Sequence, residues 1–458
     1  MTMFCMHVLL ALLPVVLLGA MAYGAGPPPG GKGELVANGD FSAGKPGGVP
    51  EGWTCWQPAW EPAACRIRKT PAGLLIDAPD RPFAVGGVVQ DLKGFRAGQA
   101  YAVDVACSPR KVPSRRRSVL VRLTWTKGRK LLHPAGRLVE GPVPGGRDAA
   151  FHDVFVAPKG ADGARLSLEV KWPQGGSVLW RNVSVRPTAS PKPRKVRIGT
   201  VYLRPRNSTP EKNMKLWCEK IDQAGKLKLD IVCLSEAILT VGTDSKAADV
   251  ARPIPGPHTE ALGAAAKRNR VAVVAGLHER AGEALYNTAV LMGRHGRLIG
   301  KYRKVHLPRE EWKKGVTPGG EYPVFQTHFG KVAIQICYDW FFGEAAAIFA
   351  LNGAEVLFAP TWGTTFPDKA GRAEGETVFR VRARDNGLYI VPSVYDGSSM
   401  VIDPLGRILA TSDGENEGLY WAEVDLNRRD RLWWVGHWRS IGGRHRMPET
   451  YKRMTDKP

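Results

Sequence analysis

Cysteine is scarce in this chain, with seven in 458 residues, and the first of them, Cys5, lies in a leader-like apolar run. The others are too thinly spread for a disulfide framework, so a hydrophobic core has to hold the fold. Cys55 and Cys65 stand close together in a Trp-rich stretch, where a disulfide and two unpaired buried thiols both fit. Cys218, on a helical pattern, and Cys233, inside an apolar strand, read as small core residues. Long apolar runs are also missing. After the first 26 residues no stretch approaches the ~18 apolar residues of a membrane-crossing helix. Metal-ligand spacing is absent too: His258, His278 and His295 form no ligand pattern, so neither a metal nor another cofactor is expected. Acidic residues number 43 against 65 basic ones, which gives a formal net charge of +22 and a pI near 9.8. Such a balance favours anionic surfaces, among them acidic polysaccharide, cell-wall polymer and lipid headgroups. No aromatic and basic repeat marks a nucleic-acid module, however. Local runs such as Arg115–Arg117 and Arg428–Arg431 read as solvated basic faces, so no nucleic-acid partner is expected.

What is present falls into successive segments. Residues 1–26 carry the apolar run Val8 to Ala20 followed by small residues, the pattern of a secretory signal peptide, which places the mature chain in a secreted or periplasmic setting. The region before that run has little positive charge, so an uncleaved anchor is the alternative. Residues 34–187 consist of short alternating segments separated by Gly and Pro, such as Ala100 to Ala106 and Ser118 to Trp125, with no long helical period. That spacing predicts an antiparallel β-sandwich. Residues 188–195, Thr-Ala-Ser-Pro-Lys-Pro-Arg-Lys, form a stiff linker. From 196 to 435 strand and helix patterns alternate, with helices over about 210–226, 258–267, 342–351 and 376–386 and strands including 231–234, 271–276 and 332–336. The alternation predicts an α/β layered domain. Residues 436–458 are basic and unpatterned and are expected to be an extended tail.

Three residues of the α/β region stand at strand edges, where such folds place their chemistry. Cys337 ends the apolar segment Val332 to Ile336, Glu236 follows Ile231 to Ser235, and Lys304 sits in Gly300-Lys-Tyr-Arg-Lys-Val-His-Leu-Pro308. Amide hydrolysis needs an activated nucleophile, a proton shuttle for the departing amine, and a positive or hydrogen-bonding site for the oxyanion. Thiol, carboxylate and ammonium can fill those parts, and a cysteine at a strand-to-helix turn offers the next backbone N–H, that of Tyr338, to the oxyanion. Taken singly, each residue reads as core or as part of a salt bridge; their order along the chain is what makes them a constellation. His306 suggests a Cys–His pairing, but a structural role suits it better.

The ordered segments resemble those of the nitrilase superfamily of carbon–nitrogen hydrolases over residues 196–435. The resemblance rests on Gly300 to Pro308, on Ile336-Cys-Tyr-Asp-Trp340, on Gly315 to Gly319, on Pro323 to Gly330, on Gly353 to Thr361, on Arg382 to Asn386, and on Ile402 to Gly406. It departs from the family at Ser235 and Gly343, where the family usually has Pro. The resemblance implies an αββα four-layer sandwich and a homodimer or higher homo-oligomer. It also implies a catalytic set of Glu236, Lys304 and Cys337, completed by a second glutamate at Glu310 or Glu311, with spacing favouring Glu311. In that reading Lys304 also lowers the Cys337 pKa. Trp340, Thr361 and Trp362 are implied near the substrate pocket. The β-rich region, through Leu35 to Ser42, Pro50 to Trp53 and Val178 to Val185, resembles galactose-binding-like jelly rolls, which include carbohydrate-binding modules. There Trp53, Trp56 and Trp60 could stack on sugar rings.

The sequence therefore predicts a secreted thiol amidohydrolase acting on a small-molecule carboxamide or N-carbamoyl substrate, with glycan contact through the N-terminal domain. The alternative is a glycan- or anionic-polymer-binding protein whose hydrolase domain is catalytically silent.

Overall fold

Alternation in the catalytic half sorts side chains onto two faces of each strand. Ile231 and Cys233 point into one core with Ile198, Ala272 and Val274, while Val232 and Leu234 enter another with Val201, Val273 and Ala275. The computed structural model describes residues 33–134, 136–145, 148–364, 374–432 and 435–454. The segment expected to be a signal peptide, residues 1–26, lies outside the described residues. Two compact units emerge, one of residues up to Arg122 with Val139–Ala189, the other of Ser190 onward with Leu123–Leu138.

Among the described residues of the second unit are two six-stranded sheets. The first runs in the order Leu298–Arg303, Ala284–Met292, Ala272–Ala281, Ile231–Cys233, Lys195–Tyr202, Gly418–Asp425. The second runs Phe325–Gln326, Lys331–Ile334, Val356–Gly363, Tyr389–Asp396, Met400–Ile402, Ile408–Thr411. Both are parallel at the centre and antiparallel toward the edges. The outer face of the first sheet is covered by the helices Pro210–Lys226 and Pro257–Asn269. Trp217, Ile221 and Ala224 supply the buried stripe of the former at helical spacing. Thr209 caps that helix, accepting from the Lys212 N–H at 3.3 Å, and Pro210 occupies its first turn. Between the sheets and beneath the helices Gly343–Leu351 and Glu374–Asn386 lies the other core, where Ile198, Ile334, Phe349, Phe358 and Phe379 are fully buried. Each large side chain there contributes roughly 1.5–3 kcal/mol relative to exposure. The result is four layers, helices, sheet, sheet and helices.

Two edge strands, Leu298–Arg303 and Gly418–Asp425, lack an apolar run in the sequence, because they are half-exposed at the margin of the sheet. The segment from residue 436 is not an extended tail. It contains a helix, Trp438–His445, and short turns of helix at Pro448–Thr450 and Lys452–Met454. Trp438 Nε1 donates to Asp385 O at 2.7 Å and Arg446 donates to Asn386 Oδ1 at 2.9 Å, so the segment docks at the end of Glu374–Asn386. Its anchors are single residues rather than a periodic stripe, which is why the pattern was silent.

Among the described residues, the strands before Ala189 form two sheets in the orders Thr54–Trp56, Val85–Lys93, Gly163–Lys171, Val119–Lys127, Lys130–Leu131 and Arg66–Thr70, Gly73–Asp77, Ser177–Thr188, Ala100–Arg110, Asp148–Val156, Val143–Gly145. Antiparallel pairing joins their long strands, as at Gly163–Lys171 with Val85–Lys93 and Ser177–Thr188 with Ala100–Arg110. Trp53 is core rather than platform: its ring lies 5.4 Å from that of Phe41 and its Nε1 donates to Asn38 O. Trp56 and Trp60 are exposed. Cys55 and Cys65 are both free thiols.

Candidate active site

Strand register brings four polar residues to one level across the first sheet. His278 pairs with Asn287, and the Asn287 carbonyl accepts the Lys304 N–H at 2.9 Å. On the other side of the His278 strand, the segment after Ile231–Cys233 carries Glu236. Paired residues on antiparallel strands share a face, so His278 and Asn287 point the same way as Val274 and Ala289, toward the second sheet. Gly276 permits this approach: a Cβ there would lie 2.6 Å from Glu236 Cα and 2.8 Å from Ala237 N. Ala237 itself has φ +48°, in the left-handed region, so the chain turns sharply just past Glu236.

Lys304 is the hub of the cluster. Its ammonium, 1% exposed, donates to Glu236 Oε1 at 2.9 Å and also to Glu311 Oε1. Asn287 Nδ2 donates to the same two carboxylates, at 2.7 Å to Glu236 Oε1 and 3.2 Å to Glu311 Oε2. Glu311 is thus the second glutamate that reaches Lys304, and Glu310 is exposed. Burial works against the Lys304 charge, yet Glu236, the Cys337 sulfur and Glu311 outweigh it and hold its pKa above the ordinary lysine value. Burial raises the Glu311 pKa, as does the Glu236 charge, with Lys304 opposing. Glu236 Oε2 is buried and takes no hydrogen bond from Lys304 or Asn287. Its two oxygens are therefore unequal, one saturated and one open.

Cys337 follows Lys331–Ile334 and opens a short turn of helix, Cys337–Phe341. Its φ of +41° is a strained value for a side-chain-bearing residue, of order 1–3 kcal/mol. The fully buried Asp339 carboxylate holds the turn, accepting from Ile336 N–H at 2.9 Å, His306 N–H at 3.0 Å and Tyr302 O–H at 2.8 Å. His306 Nδ1 lies 2.8 Å from the same carboxylate, and its ring stacks on Phe342, so His306 serves the turn rather than the thiol. Burial pushes the Cys337 thiol up to about 12; Glu236 adds to the rise, while Lys304 and the Trp362 N–H oppose it. Lys304 lowers this pKa as expected, but burial and the neighbouring carboxylate outweigh the cation and the net shift is upward. Tyr338 is in the first turn after Cys337, where N–H groups have no intrahelical acceptor.

The other expected pocket residues divide. Trp362 stands beside Cys337, with its backbone N–H toward the sulfur. Thr361 is fully buried and its hydroxyl donates to Ala359 O at 2.8 Å. Trp340 is turned into the core, stacked on Phe341 at 3.9 Å and next to Phe379, because position 340 falls on the inner side of the turn. Asn287, His278 and Asp339 were not singled out for the site. A polar residue interrupting an apolar strand, as in Tyr286-Asn287-Thr288, was the available signal.

His278 gives a pH signature. Burial lowers its pKa to about 4; the Glu236 charge opposes this, while Lys304 and Lys314 add to it. Because the folded value lies below the unfolded one, its stabilising contribution is complete above pH ~6.5 and is lost as pH falls through about 4. In His278→Gln, the stability lost between pH 7 and 4 should be smaller than in wild type, by at most about 3 kcal/mol, read from urea unfolding. An unchanged loss would show that His278 titrates normally.

A carboxylate, an ammonium and a thiol at the facing ends of two sheets, with an open carboxylate oxygen near the sulfur, define a thiol-dependent hydrolase. The chain belongs to the carbon–nitrogen hydrolase family, whose profile matches residues 197–432. It is similar to the omega-amidase NIT2 of Mus musculus, 31% identical over 241 residues, which cover 48% of this chain and 86% of the relative. A nitrilase of Pyrococcus abyssi is 34% identical over 245 residues, 50% of this chain and 90% of the relative. Among solved structures, Nit3 of Saccharomyces cerevisiae, of the nitrilase superfamily, aligns with a TM-score of 0.45 at 25% identity, covering 52% of this chain and 93% of that one. An amidase from Nesterenkonia sp. aligns with a TM-score of 0.47 at 21% identity, covering 57% and 96%. The protein is an enzyme of the nitrilase superfamily that hydrolyses carbon–nitrogen bonds other than peptide bonds.

Proposed function

We propose that the enzyme is an amidohydrolase of small carboxamides or N-carbamoyl compounds, acting through a thioester on Cys337. The observation that carries this reading is the asymmetry of Glu236: Oε1 is held by Lys304 and Asn287, and the buried Oε2 is left to move protons. Glu236 takes the Cys337 proton as sulfur bonds to the carbonyl carbon. Burial and the Glu236 charge hold the Cys337 thiol above its ordinary pKa, so proton transfer to Glu236 accompanies the attack. The oxyanion is met by Lys304 and the Tyr338 N–H. Collapse breaks the C–N bond, and Glu236 returns the proton to the departing nitrogen, which leaves as ammonia or an amine. Water then adds to the thioester and gives a proton to Glu236; the second collapse breaks the C–S bond and restores the thiol. Glu311 keeps Lys304 charged and in place, touching it directly.

Export to a secreted or periplasmic setting, a homodimer or higher homo-oligomer, and a galactose-binding-like N-terminal domain that touches glycan complete the reading. Support for the last is the exposure of Trp56 and Trp60, at 45% and 70%. Incubation of wild type and Cys337→Ala with a pool of primary amides and N-carbamoyl compounds tests the chemistry. Wild type alone should consume one or a few, releasing ammonia or an amine. Consumption by both proteins would overturn the assignment of the nucleophile. A glycan array with the full chain and its Trp60→Ala variant tests the N-terminal part, which fails if neither binds.

A further inference from the structure

The loop that carries Glu236 is fastened to the opposite sheet by hydroxyl groups. Ser235, fully buried, has its Oγ 2.8 Å from Ser393 Oγ. Ser393 donates its own proton to Val201 O at 2.7 Å, so Ser235 is the donor between the two serines. One residue further along, the Glu236 carbonyl accepts the Tyr395 O–H at 2.7 Å. Ser393 and Tyr395 lie two apart on the strand Tyr389–Asp396, so both point from the same face. Tyr395 is 1% exposed, and burial together with the Glu236 charge raises its pKa well above the usual value, so it stays a donor.

That strand also reaches the nucleophile. Thr361 pairs with Val394 and Gly363 with Asp396, which sets Trp362 level with Tyr395, and their rings meet edge to face at 5.3 Å. The Trp362 N–H faces Cys337 Sγ. A short path thus joins base and nucleophile, which sit on different sheets: Glu236 carbonyl, Tyr395, Trp362, Cys337. The strained Ala237 just past the base would otherwise be free to relax.

We propose that Tyr395, Ser393 and Ser235 form a positioning clamp that fixes the Glu236 loop against the Cys337 sheet and so keeps the open Glu236 oxygen in reach of the sulfur. The inference rests on Glu236 acting as the base for Cys337, and the test separates the two. The probe is iodoacetamide, with the alkylation rate at Cys337 followed by peptide mass from pH 6 to 9 on wild type, Tyr395→Phe and Ser393→Ala, each with its melting temperature. With a placed base, the wild-type rate is nearly level across this range. In Tyr395→Phe it should fall about tenfold at pH 7 and climb with pH, since attack then waits for free thiolate. Ser393→Ala should show the same change at about threefold, and it carries the test if the phenylalanine variant does not fold. A lowered melting temperature with wild-type rate and profile in these variants overturns the clamp. A steep profile in wild type itself overturns the base assignment.

Discussion

Cys337→Ala leaves turnover of any accepted amide at background, a loss on the order of 10⁴-fold or more, and leaves no covalent acyl species. The size follows from the division of labour in the site. Lys304, Glu236 and Asn287 form a hydrogen-bonded set that does not depend on the sulfur, so the variant keeps its carboxylates and cation in place. What it loses is the atom that bonds to carbon, and none of the remaining groups can replace it as a nucleophile with a leaving-group route back to free enzyme. Stability should change little or rise slightly, because the sulfur sits in a strained turn that a smaller side chain relaxes no less easily. Retained turnover, measured as ammonia or amine release, would remove Cys337 from the mechanism.

Lys304→Met is expected to damage both stability and chemistry. It removes the cation shared by two carboxylates, of which Glu236 is 3% exposed, and leaves them facing each other through Asn287 alone. Breaking a buried pair in this way costs about 3–5 kcal/mol. The sign of its pH dependence is fixed: the unpaired carboxylates prefer a proton in the folded state, so their folded pKa values rise. Protonation then offsets part of the deficit at low pH, and the deficit grows as pH increases from 5 to 8. Turnover should fall by a further 10²–10³-fold in order of magnitude through the lost oxyanion contact. Urea unfolding at several pH values measures the first effect. A deficit that shrinks with rising pH would show that Lys304 is not paired as described.

The legible parts of this protein are those in which an apolar pattern and a chemical group coincide. Ile231 to Leu234, then Glu236, and Val332 to Ile336, then Cys337, can be read because buried parallel strands form apolar runs and their ends carry function. Helix Pro210–Lys226 agrees with the helix expected over about 210–226, since Pro210 and the spacing of Trp217, Ile221 and Ala224 speak together. Groups that act through three-dimensional register stayed silent. Nothing in the sequence says that His278 pairs with Asn287, or that Tyr395 reaches the carbonyl of a residue 159 positions away. Trp340 faces the core, because proximity in sequence to Cys337 does not fix which way a side chain points in a tight turn. The docked helix Trp438–His445 leaves no periodic apolar signal in the sequence, because isolated contacts such as Trp438 Nε1 to Asp385 O fasten it.

The central claim is that Cys337 carries the acyl group. Acid-quenched reactions of wild type and Cys337→Ala with an amide consumed in the pool experiment, followed by intact and peptide mass measurement, test it most directly. The expected result is a mass increase on wild type equal to the substrate's acyl group, confined to the peptide containing Cys337 and absent from the variant. An adduct on another residue that persists in Cys337→Ala would contradict it.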